Sequence, residues 1–309
     1  MKRQGPRSLG LGQRLVLALP LTWLILFFLV PFALVAKVSL SQSVLAQPPY
    51  RPLFDWHDLG GFLEKLQQFS FSAYAGLTQD PLYLQSYVNS VIIAALATFA
   101  TLLIAYPFAL AIARTPRHWR ILFLILAIAP FWTSFLVRVY AWILLLKDEG
   151  LINAALIGLG ILHAPLHIFA TNGAVVIGIV YSYLPFMILP LYVALDRQDK
   201  ALVEAAADLG AAPFAAFCKV TLPLSLPGMI AGILMVFIPA VGEFVIPDLL
   251  GGSDTLMIGS TLWNEFFANR DWPTAAAAAI ALLILLVGPL ALYEHRQMHA
   301  EAGPHEVRL

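Results

Sequence analysis

Apolar residues gather into six long runs, at 15–36, 87–113, 121–146, 172–195, 226–250 and 274–293. Each holds about the 20 residues that a helix needs to cross a hydrocarbon core, so the pattern predicts six transmembrane helices in an all-α integral membrane protein. One polar interval differs from the other connections: EAAADLGAAPFAAFCKVTLP at 204–223, between the fourth and fifth runs. Ala201, Leu202, Ala205, Ala206 and Leu209 recur at helical spacing and stop at Gly210. Pro213 stands where a second short helix would begin, a place that tolerates its missing N–H, and Phe214, Phe217 and Val220 supply an apolar stripe. The interval predicts helix, glycine turn, helix: a compact hairpin that a membrane protein offers to a partner in water.

Composition and charge orient this pattern. The chain is 60% hydrophobic and 12% charged, about half the usual charged fraction, which excludes an ordinary soluble domain. The N-terminus, the second-to-third connection, the polar interval and the tail carry 12 Lys and Arg, and the alternate connections carry five. The positive-inside rule therefore places both termini and the hairpin in the cytoplasm. The expected organisation is a cytoplasmic N-terminus at 1–14, a membrane domain at 15–295 with its cytoplasmic loop at 196–223, and a tail at 296–309. The inner side has seven acids and the outer side ten, so a net charge of zero divides into +5 inside and −5 outside. A cationic solute outside meets a favourable, salt-screened field. The first run is too long for a signal-peptide core and reads as an uncleaved anchor. The single cysteine, Cys218, excludes an internal disulfide and reads as a packing thiol.

The outer connection after the first run is about 50 residues long, beyond the usual length, and is expected to be partly folded. Within it Phe62, Leu63, Leu66 and Phe69 mark one face of a short amphipathic helix. The basic loop RTPRHWR at 114–120 anchors its spans at lipid headgroups. Prolines at 107, 130, 185, 190, 239, 247 and 289 predict kinks, which suit a path that changes shape and also occur in static bundles. No GxxxxGK[ST] phosphate loop occurs, so ATP hydrolysis by this chain is not expected.

Two charges fall inside the runs, Arg138 in the third and Glu243 in the fifth, and each marks a functional candidate because a lone charge in lipid is costly. Both lie 17 positions from the cytoplasmic start of their run, about 26 Å along a helix. A mutual ion pair that fixes packing is one reading. The other is that Glu243, with Asp248 nearer the outer mouth, offers carboxylate to a cationic substrate, with Trp132, Tyr140, Trp142, Tyr181 and Tyr183 near enough in sequence for cation–π attraction. Anchoring in the interfacial aromatic belt competes for most of these rings. His163 and His167 are spaced as a metal pair, but Pro165 breaks the helix that would align them. His295 and His299 lack a third ligand, so no metal is assigned, and no catalytic constellation converges.

Glu204, Ala205 and Ala206, then Gly210, then Val220, Leu222 and Pro223 fit the EAA–Gly–aliphatic–Leu-Pro pattern of the cytoplasmic loop of ABC importer permeases. Only Val220 departs from it, standing where that family usually has Ile. PFWTSFLVRVYAWILLLKDEGLIN at 130–153, VYSYLPFMILPLY at 180–192, FIPAVGEFVIPDLLGG at 237–252 and WNEFFANRDWP at 263–273 resemble the permease subunit of bacterial polyamine importers. These stretches are more similar to the putrescine branch than to the spermidine branch, and QPPYRP at 47–52 and DPLY at 80–83 fit the same branch. The likeness runs from about residue 25 to 295.

This resemblance implies a type I ABC importer permease fold in the bacterial inner membrane. It implies that the 204–223 hairpin is the coupling helix, seated in a groove of a separate homodimeric ATPase that uses ATP and Mg, while this chain binds no cofactor. It further implies a second homologous permease, a periplasmic polyamine-binding protein and surrounding lipid as partners, with no nucleic acid. The cargo would be a polyamine, putrescine first, with spermidine or another small cation as the alternative. Two other classes stay in view. An ion-coupled secondary transporter would normally show an internal repeat, and none is visible; an intramembrane enzyme would need convergent catalytic side chains.

Overall fold

A computed structural model of the chain describes residues 11–53 and 67–301, in two units: Met1–Pro81 with Leu262–Leu309, and Leu82–Thr261. In the first unit α1 (Leu11–Leu24) passes through a π-helical turn (Ile25–Leu29) into α2 (Val30–Ser39), giving a 24-residue apolar stretch, Val16–Ser39. A two-stranded antiparallel ribbon follows, β1 (Gln42–Ser43) with β2 (Tyr50–Arg51), pairing Gln42 with Arg51. Then α3 (Ser72–Gln79) is tied back by Tyr74, whose hydroxyl donates to Ser39 Oγ at 2.8 Å. The long connection after the first run is thus folded in part over its described residues. Phe62, Leu63 and Leu66 lie outside the described residues, and Phe69 is not helical.

The second unit begins with α4 (Pro81–Arg114), a single 34-residue helix across the second apolar run. The third run is not one helix. α5 (Arg117–Ile128) passes into a 3₁₀ turn at Ala129–Trp132, the chain extends at Thr133, and α6 (Phe135–Leu146) and α7 (Leu151–Gly158) follow with a 90° bend between the two limbs. Pro130 has no N–H to continue the helix, and the Thr133 hydroxyl donates to the Pro130 carbonyl at 2.8 Å, closing the turn.

α8 (Asn172–Asp196) is a 25-residue span carrying Pro185 and Pro190. α9 (Lys200–Asp208) and α10 (Pro213–Ala216) form the polar hairpin, and α10 continues through a π turn (Phe217–Thr221) into α11 (Leu222–Val241). The expected second short helix is therefore the foot of a 29-residue helix, Pro213–Val241. That helix ends nine residues before the apolar run does. Gly242 leaves helical geometry, and α12 (Val245–Leu250) is a separate short helix. α13 (Ile258–Trp263) closes the unit.

Small residues hold this unit together, as close packing in lipid demands. A Cβ on Gly228 would lie 2.4 Å from Ala194 Cβ and 2.6 Å from the Pro190 carbonyl, so α8 and α11 meet almost backbone to backbone. Gly178 leaves room on α8 for the Ile246 and Leu250 side chains of α12. Ala105, Ala109, Met187, Leu191 and Val236 form the buried core where α4, α8 and α11 pack. Ser86 and Thr261 share a hydrogen bond at 3.1 Å, and Ser90 accepts the Ile258 N–H at 2.7 Å.

In the first unit, a π turn at Asn264–Ala268 leads to α14 (Trp272–Glu301), which packs along α2 and α3 and whose described apolar part is Trp272–Gly288. Four described helices are long and apolar enough to cross a membrane, and a fifth span results if the bent pair counts as one. The tail beyond residue 301 lies outside the described residues.

Candidate functional site

Two places carry the candidate residues. At the hairpin, Asp199 caps α9 by accepting the Ala201 N–H at 3.0 Å. α9 ends at Gly210, whose φ of +82° is the left-handed conformation that glycine adopts without penalty. The Gly210 and Ala211 N–H groups donate to the Ala207 and Ala206 carbonyls at 2.9 and 3.0 Å, closing the helix end. Pro213 occupies the first turn of α10.

The hairpin's base is fastened in two ways. Gln198 Nε2 donates to the Thr221 carbonyl at 2.9 Å, and Arg120 forms an ion pair with Asp196 at the foot of α8. Its tip is bare: Leu209 is 89% exposed and Phe214 78%. Of the motif residues, Glu204, Ala205, Gly210 and Pro223 are exposed, while Ala206, Val220 and Leu222 are half-buried. The fastened hairpin thus carries exposed apolar side chains at its tip. Cys218 is half-buried beside it.

The second place lies at the breaks in the third and fifth runs. Glu243 follows the end of α11 and is only 9% exposed. Its Oε1 accepts the Val245 N–H at 3.1 Å and the Ile246 N–H at 3.4 Å, supplying acceptors that the first turn of α12 lacks. Its Oε2 accepts the Tyr183 hydroxyl at 2.6 Å. Glu243 is therefore not a charge on the side of a continuous span. The carboxylate lies at the break and caps the helix that begins beyond it.

Arg138 forms no ion pair with Glu243. It is also 9% exposed, and its Nε and Nη1 are buried with no hydrogen-bond partner. Its guanidinium carbon lies 5.1 Å from the Phe131 ring centre and 5.8 Å from that of Phe135. Phe131 meets Phe186 edge to face at 5.2 Å, and Phe186 lies 6.0 Å from Tyr183. A row of rings thus connects the guanidinium to the carboxylate.

The other sequence candidates separate. Tyr181 packs edge to face on Trp142 at 5.3 Å, Trp132 is 78% exposed, and Tyr140 and Asp248 are exposed. Phe131 and Phe186 are absent from the expected set. Phe186 lies one helical turn from Tyr183, a spacing that could have signalled it. Below Phe186 an apolar groove of about 830 Å³ runs between α8 and α11, past Pro190 and Gly228, to Gln198 and Leu202 at the root of the hairpin. His167 pairs with Asp148 at 3.1 Å.

Comparison with known proteins adds to this geometry. Residues 120–293 match the family described as binding-protein-dependent transport system inner membrane component. The chain is 41% identical over 274 residues to the spermidine/putrescine transport system permease protein PotB of Haemophilus influenzae, covering 89% of this chain and 90% of that one. It is 39% identical over 271 residues to PotB of Escherichia coli K12, covering 88% and 92%. The inner membrane ABC transporter permease protein YdcU of Escherichia coli K12 is 35% identical over 211 residues, covering 64% and 67%. Among solved structures, a chain of a bacterial ABC transporter that imports alginate superposes with a TM-score of 0.66 at 15% identity, covering 92% of this chain and 94% of that one. A chain of the alginate transporter bound to its pentasaccharide-loaded periplasmic protein gives 0.60 at 16%, covering 91% and 96%. Both support the fold alone.

Proposed function

Since the chain belongs to the binding-protein-dependent transport system inner membrane components, the multi-pass permease subunits of ABC importers, we propose that its cargo is a polyamine. The observation that carries this reading is a membrane-buried carboxylate at the end of a row of aromatic rings, in a chain about 40% identical to permeases named for spermidine and putrescine. Fixed negative charge beside ring faces is the chemistry that attracts an alkylammonium. Putrescine is the finer reading, supported by the QPPYRP and DPLY segments of the outer connection.

The proposed cycle has four parts. A periplasmic binding protein delivers the cation at the outer face, Glu243 and Tyr183 meet it within the membrane, and the groove below Phe186 leads inward. A second homologous permease completes the path. A homodimeric ATPase receives the hairpin through Glu204, Ala205, Ala206 and Gly210, with Val220, Leu222 and Pro223 at the hairpin's root, and uses ATP and Mg. Closure of that ATPase biases the helix bundle between outward and inward forms. Both termini and the hairpin face the cytoplasm.

Uptake of radiolabelled putrescine and spermidine by cells lacking other polyamine transporters, expressing this chain with its partner genes, tests the reading. Saturable, ATP-dependent uptake with putrescine preferred is expected. A spermidine preference would overturn the finer assignment, and uptake of neither would overturn the polyamine assignment.

A further inference from the structure

Among the described residues, Arg138 is a buried cation without an ion-pair partner. Its Nε and Nη1 are enclosed and donate to nothing, so its position is held by the rings of Phe131 and Phe135 rather than by hydrogen bonds. Phe131 belongs to the same row that reaches Glu243 through Phe186 and Tyr183. A cation therefore already sits on the aromatic row, at the end remote from the carboxylate, and it is covalently part of the chain. Aromatic faces attract ammonium and guanidinium ions by the same quadrupole, so an incoming alkylammonium and Arg138 compete for one kind of seat.

We propose that Arg138 is a tethered stand-in for the cargo's cation: it occupies the Phe131 end of the row when the path is empty and yields it to an alkylammonium held also by Glu243. The proposal rests on the polyamine reading above. The unmet N–H groups give it its mechanism, because no hydrogen bond to Nε or Nη1 has to break when the guanidinium leaves. An arginine locked in a forked ion pair would resist displacement. A diamine suits the row better than a monoamine, since it presents one charge to the carboxylate and a second to the rings. Apparent affinity falls by the fraction of time that the seat is free, and the return of Arg138 after each passage weakens rebinding of the departing cation.

Equilibrium binding of radiolabelled putrescine to the complete permease–ATPase complex in nanodiscs, without binding protein, reads this directly. Arg138→Met keeps the length of the side chain and removes its charge; it should bind putrescine about tenfold more tightly, or about 1.4 kcal/mol. Arg138→Lys keeps a cation on the rings and should stay within about twofold of the unaltered protein. An assembled Arg138→Met complex with unchanged or weaker binding overturns the proposal. Should that variant fail to assemble, cryo-EM of the unaltered complex decides. Arg138 withdrawn from Phe131 in the putrescine-loaded state is the expected result, and Arg138 unmoved with putrescine at Glu243 overturns it. Glu243→Gln separates the two levels: normal binding and uptake by that variant would sink the polyamine site itself, whereas loss of both with no gain from Arg138→Met would sink only the tethered cation.

Discussion

Tyr183 donates its hydroxyl hydrogen to Oε2 of Glu243 across 2.6 Å, and the bond ties the middle of α8 to the break between α11 and α12. The same carboxylate caps α12 through Oε1. Its two oxygens thus have different duties, and conservative changes can separate them. In Glu243→Gln the amide oxygen still accepts from Val245 and Ile246, while the Tyr183 side loses its negative charge. Assembly should persist and uptake should fall at least tenfold. Glu243→Ala strands both backbone donors and should cost about 1–3 kcal/mol for each unpaired group, seen as a lower unfolding temperature of the purified complex. Equal thermal stability of the Gln and Ala variants would contradict the capping role.

Gly210 takes a positive φ with nothing within 4 Å of the place where a Cβ would stand. A substitution there acts through backbone strain rather than through a clash. Gly210→Val should re-aim the hairpin at a cost of about 1–3 kcal/mol, leaving membrane insertion normal and the copurified ATPase much reduced. Gly210→Asn tolerates the left-handed region and should retain most of it. Equal ATPase recovery with Val and Asn would remove the conformational argument.

Gly228 carries the contact of α8 with α11. Gly228→Leu forces a side chain against Ala194 Cβ and the Pro190 backbone, where overpacking costs about 1–3 kcal/mol or more. Lower expression and an earlier unfolding transition are expected, together with loss of transport. Gly76, with open space around it, should accept alanine without effect on either measurement.

The positive-inside asymmetry predicts the orientation. Reporter fusions at Gln42, Gly160 and Gly252 should report the periplasm, and fusions at Arg117, Gly210 and His305 the cytoplasm. A periplasmic signal at Gly210 would separate the hairpin from any cytoplasmic ATPase.

The sequence disclosed the hairpin almost completely, because its determinants are local: a capping aspartate, a glycine at the helix end and a proline in the next first turn. It disclosed the spans less well. Hydropathy reads apolar length, and a run interrupted by Pro130 or ended by Gly242 is as apolar as an unbroken one, so Pro130 signalled a kink but neither its 90° extent nor the early end of α11. Glu243 looked like a charge in a helix because the signal for a cap, two backbone donors waiting beyond it, exists only once the helix has stopped. Phe131 and Phe186 were hidden for another reason: they lie 55 positions apart and meet only through tertiary packing.

The central claim is that the hairpin couples cargo delivery to ATP hydrolysis on another subunit. ATPase activity of the reconstituted complex in nanodiscs, titrated with putrescine-loaded binding protein, tests it most directly. Hydrolysis should rise with loaded binding protein in the unaltered complex and stay at its basal rate when this chain carries Glu204→Lys. The same stimulation with Glu204→Lys, in complexes containing equal amounts of ATPase, would contradict a coupling role for the hairpin.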